Sequence, residues 1–119
     1  MLLIMSFSFL NAQIISQVVE SGNGSHPKLI EIYNNTGSTL DFTSIPLKVY
    51  YAANANTESL KENITTGYLA PGAVLVLGPA SSVNSGVWKT QVLANNPNVR
   101  YIDETWQFNG NDHIRLEYD

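Results

Sequence analysis

The chain has 119 residues, 44% hydrophobic and 13% charged, with a net charge of −4 and a pI near 4.9. This length supports one domain with its own core, and the acidic balance argues against attraction to phosphate backbones, so nucleic acid is a poor partner. The absence of cysteine excludes a thiol nucleophile, a thiolate zinc site and a disulfide framework together.

Met1 to Leu10 carries no charge and leads into Asn11-Ala12-Gln13. The run is too short to span a bilayer as a helix and reads as the apolar part of an export signal cut after Ala12, its basic end missing ahead of Met1. The expected organisation is a signal segment over residues 1–13 and one domain over residues 14–119, secreted or at the cell surface. No transmembrane segment is expected.

From Ile14 on, short apolar-rich runs alternate with clusters of Gly, Asn, Pro and Ser. Ile14 to Glu20 is predicted as the first strand, ended by the turn-rich stretch Ser21 to Ser25. Lys28 to Asn35 is predicted as a central strand, with Ile30 and Ile32 on one face and Leu29, Glu31 and Tyr33 on the other, both faces covered. Glu31 stands out, because a carboxylate in a central strand needs a partner, a cation or a route to water. Leu40, Phe42 and Ile45 read as an irregular connection over the sheet edge.

Pro46 opens a strand from Leu47 to Ala52, in which Leu47, Val49 and Tyr51 face the core. After the polar loop Ala53 to Glu58, extended structure resumes from Leu60 to Tyr68. Leu69-Ala70-Pro71-Gly72 has the chemistry of a type II turn, and the apolar run Ala73 to Leu77 reads as a strand covered on both faces. Val87 to Leu93 is expected to form one or two helical turns before Asn95-Asn96-Pro97 breaks them. Val99 to Asp103 and Thr105 to Phe108 are predicted strands, and Asn109-Gly110 a primed hairpin turn. In the last strand, Asp112 to Tyr118, Ile114, Leu116 and Tyr118 face in while His113, Arg115 and Glu117 face out. About eight short strands with regular turn signals define an all-β chain, a β-sandwich of immunoglobulin-like size.

No motif of a hydrolase elbow, zinc protease, dinucleotide fold or phosphate loop is present. The two histidines, His26 in a Gly/Ser loop and His113 on an outward position, have no triad motif around them, so no enzymatic activity is expected. Glu20, Glu31, Asn109 and Asp112, with Asn111 beside them, are the polar set that suits a hard cation; they are the candidate ligands of a calcium ion. Glu20 and Glu31 have room to approach across neighbouring strands. The competing reading makes Asn109 to Asp112 a turn and leaves Glu31 wet or salt-bridged. Asn23, Asn34 and Asn63 begin glycosylation patterns that also suit turns and strand ends. Tyr50, Tyr68, Trp88 and Trp106 either complete the core or form a stacking platform.

Four blocks carry a resemblance: Ile15 to Gly22, Leu29 to Gly37, Leu69 to Leu77 and Phe108 to Leu116. In this order they resemble the lamin tail domain in its bacterial secreted form, over about Ile14 to Tyr118. The resemblance implies an immunoglobulin-like sandwich and a non-catalytic module that binds a protein or surface partner. It also implies an alternative, an accessory piece of a larger secreted hydrolase or nuclease. The strand pattern and ordinary apolar content lead to the expectation of a monomer, with no cofactor other than the candidate calcium ion. Gln17 stands where the bacterial pattern often has Glu, and Asn111 where it often has Asp; both changes remove negative charge from any metal site carried over.

Overall fold

Nine strands and one helix form among residues 13–20, 28–80, 87–95 and 99–119, which the computed structural model describes. They are β1 (Gln13–Val19), β2 (Leu29–Asn34), β3 (Leu40–Asp41), β4 (Leu47–Ala52), β5 (Ser59–Ile64), β6 (Tyr68–Leu69), β7 (Val74–Gly78), α1 (Val87–Asn95), β8 (Arg100–Asp103) and β9 (His113–Glu117). One sheet has the order β1-β2-β7-β8, a second the order β5-β4-β9, and β3 pairs with β6 as a short ribbon. The period of two in the sequence accounts for the layering. Ile30, Ile32, Leu75 and Leu77 of the first sheet meet Leu47, Val49 and Ile64 of the second in one core, completed by Phe42, Trp106 and Phe108. The chain is an all-β sandwich, and none of the described helices is long and apolar enough to cross a membrane.

The central strand is β2, antiparallel to both β1 and β7. Its outer face is covered as expected, with Leu29 buried and Glu31 half-buried. The β7–β8 pair is parallel, and parallel neighbours need a long crossover that usually contains a helix. That requirement gives α1 its place, since it lies between them. The Pro71-Gly72 turn forms as predicted: Gly72 has φ +74° and the Ala73 N–H donates to the Ala70 carbonyl at 3.0 Å.

Three expectations are corrected. Thr105 to Phe108 is not a strand: Trp106 and Phe108 bury alternate side chains as a strand would, but the backbone has no ladder. Asn109-Gly110 is not a primed hairpin, because Gly110 lies outside the left-handed region and no strand precedes the turn. The turn closes instead by the Asp112 N–H donating to the Asn109 carbonyl at 3.0 Å. The extended run from Leu60 to Tyr68 divides into β5 and β6, since Gly67 at φ +77° turns the chain between them. The predicted signal segment lies outside the described residues except for Gln13, which opens β1. His26 and the side chain of Trp88 lie outside them too.

Candidate functional site

Asp112 is the most connected of the four candidate residues. Its Oδ1 accepts the Asn54 N–H at 2.6 Å, and its Oδ2 accepts the Tyr51 hydroxyl and the Asn109 N–H, each at 2.8 Å. Asn54 has φ 55°, the left-handed conformation that Asn tolerates in a turn. One carboxylate therefore ties the β4–β5 turn, the end of β4 and its own turn together. The Asn54 N–H in the first place holds the Asp112 carboxyl below its ordinary range, with further help from Asn109, Tyr51 and the nearby Lys28, against the effect of burial. Burial and then Asp112 push the Tyr51 phenol up to about 12. A carboxylate so lowered contributes stability that is present at neutral pH and lost as pH falls through its folded value.

Glu20, Asn109 and Asp112 line one hollow of about 320 Å³ where the inner side of β1 approaches β9, with Ile15 and Phe108 as apolar walls. Glu31 lies elsewhere. It stands opposite Gln17, accepts the Ser16 hydroxyl at 2.6 Å, and lines an outer-face hollow of about 140 Å³ shared with Val19, Val76 and Val92 of α1. Side chains alternate along β1 and β2, so Glu20 and Glu31 occupy opposite faces of the sheet and the two carboxylates do not approach each other. The four calcium candidates do not meet at one point. Among the described residues no group of three or more His, Asp or Glu side chains is placed to hold a metal.

Two polar clusters escape sequence reasoning. On the outer face of the second sheet, Arg115 donates to Glu58 at 2.7 Å and to Glu117 at 3.0 Å, Lys48 pairs with Glu117 at 2.6 Å, and the Arg115 guanidinium stacks 4.1 Å from the Tyr50 ring centre. The signal was complementary charge across strands, readable only once β4 and β9 are aligned so that Lys48 faces Glu117. His113 is outward as expected, its Nε2 3.6 Å from Glu58. At the other edge, burial and a hydrogen bond with Glu104 push the Glu62 carboxyl up. Burial opposes the lowering of Glu104, but its hydrogen bonds with Glu62 and with Lys61, 3.0 Å away, outweigh it.

Of the four aromatics, Trp106 is core, Tyr50 is half-buried under Arg115, and Tyr68 stands 68% exposed. Scans against protein-family models, curated proteins and solved structures return no match.

Proposed function

We propose that the chain is an exported, non-catalytic interaction module of the lamin tail type, with an immunoglobulin-like sandwich that binds a protein or surface partner. The observation that carries this reading is the engagement of Asp112, the most connected candidate carboxylate, by two backbone N–H groups and the Tyr51 hydroxyl, which occupies both of its oxygens with bracing contacts. The four resembling blocks add support. They occupy β1, β2, the Pro71-Gly72 turn with β7, and the Asp112 turn with β9; the first three strands are neighbours in one sheet. Export rests on the uncharged run from Met1 to Leu10.

The purified chain is expected to hydrolyse no chromogenic ester, phosphoester or glycoside above buffer background across the near-neutral range. Turnover that disappears on Glu31→Gln or His113→Ala would overturn the proposal.

A further inference from the structure

All ten carboxylate side chains and all six lysine and arginine side chains lie among the described residues. Lys48, Lys61, Lys89 and Arg115 form ion pairs, and Lys28 donates to the Phe108 carbonyl. Arg100, the first residue of β8, has no carboxylate partner. Its guanidinium lies 5.3 Å from the Phe42 ring centre and close against Gly67, where a Cβ would come within 2.8 Å of Nη1. That Nη1 is the one buried side-chain polar atom among the described residues without a hydrogen-bond partner. A guanidinium does not escape burial by losing its proton, so the site keeps a positive charge with no counter-charge from the chain.

Arg100 is half-buried and lines a hollow of about 520 Å³ together with Tyr68, Leu69, Ala70, Pro71 and Val99. The lining is mixed: exposed polar atoms stand beside the apolar surface that Tyr68 and Pro71 offer. Pro71 has no N–H to offer, and Tyr68 is largely exposed. A planar carboxylate matches the guanidinium fork, whereas a phosphate dianion would face one cation only in a chain of net charge −4.

We propose that Arg100 and Tyr68 form a receptor for an organic carboxylate, the guanidinium taking the carboxylate group and the Tyr68–Pro71 wall taking an apolar body. The proposal rests on reading the chain as a binding module, and names the chemistry that it binds. The carboxylate comes either from a free small acid or from the end of a partner polypeptide.

The test follows the Arg100 side-chain N–H signal and the backbone amides of residues 68–73 by NMR in the isotope-labelled full chain. The probes are benzoate, acetate, benzamide, inorganic phosphate, and a short apolar peptide with a free or an amidated C-terminus. Benzoate is expected to give saturable shifts, acetate weaker ones, and benzamide none. Arg100→Gln should weaken benzoate about tenfold or more, as expected for loss of a charge-assisted hydrogen bond. Tyr68→Ala, at an exposed position, should bring benzoate down towards acetate and leave acetate unchanged. If the free-ended peptide saturates below benzoate and its amide does not bind, the natural source is a polypeptide end; benzoate binding without peptide binding supports a free acid. Benzoate shifts that do not saturate, that persist in Arg100→Gln, or that phosphate matches would overturn the site. Should Arg100→Gln fail to fold, equal binding of benzamide and benzoate, or no effect of Tyr68→Ala, would overturn it as well. Hydrolytic turnover would remove the module reading and leave the carboxylate site standing; absent benzoate shifts would do the reverse.

Discussion

Trp106→Ala is expected to lower the unfolding free energy by about 3–5 kcal/mol, the range for truncating a buried large aromatic. Trp106 is 5% exposed, makes an edge contact with Tyr51 and a tilted one with Phe108, and donates its indole N–H to the Leu77 carbonyl at 3.2 Å. It matters more than an ordinary core residue because residues 105–108 have no ladder to hold them. The buried side chains of Trp106 and Phe108 fix that segment between the sheets, with Lys28 donating to the Phe108 carbonyl. Trp106→Phe keeps most of the apolar contact, so its loss should fall between wild type and alanine. Urea unfolding decides it: a lower midpoint at unchanged slope is the expected result, and a loss under about 1 kcal/mol would mean that the segment is held by something else.

Asn34→Ala is expected to cost on the order of 3 kcal/mol, because several buried polar groups lose partners at once. Asn34 is fully buried. Its Nδ2 donates to the Ser38 and Leu69 carbonyls at 2.9 and 2.8 Å, and its Oδ1 accepts the Thr36 N–H and hydroxyl at 2.9 and 2.7 Å. One carboxamide thus joins the end of β2 to β6 and closes the turn after β2. Asn34→Asp should be worse than alanine, since it keeps the acceptor, loses the donor and buries a charge. Urea unfolding of both variants checks the order; an Asn34→Asp as stable as wild type would show that the two carbonyls do not need the donor. The same burial keeps the glycosylation pattern at Asn34 out of reach in the folded chain.

The parts of the fold that could be read from the sequence are those set by neighbours along the chain. The period of two in β2 and β4, the Pro71-Gly72 turn and the helical stretch before Pro97 all depend on local chemistry, and each formed where expected. Thr105 to Phe108 shows the limit of that reasoning: alternation reports which side chains are buried, and says nothing about whether the backbone finds a ladder partner. Asn109-Gly110 shows another, since the dipeptide permits a primed turn without requiring one, and here an Asp three residues on closes an ordinary turn.

The candidate site was less readable for the same reason. The sequence marks Asp112, but two of its three partners, Tyr51 and Asn54, lie some sixty residues earlier in the chain. Glu20 and Glu31 share a residue type, while the alternation of side chains places them on opposite faces of the sheet. Arg100 carried no sequence signal at all. Its isolation is visible only when every carboxylate has been placed.

The architectural role of Asp112 separates a bracing carboxylate from a metal ligand, and thermal melts in millimolar calcium and in chelator test it most directly. Wild type should melt at the same midpoint in both, and Asp112→Asn should melt lower than wild type in both, because Asn54, Tyr51 and Asn109 lose a charged acceptor with or without the ion. The contradicting result is a wild-type midpoint raised by calcium, by an amount that grows with concentration as binding to the folded chain alone requires, and a gain that vanishes in Asp112→Asn.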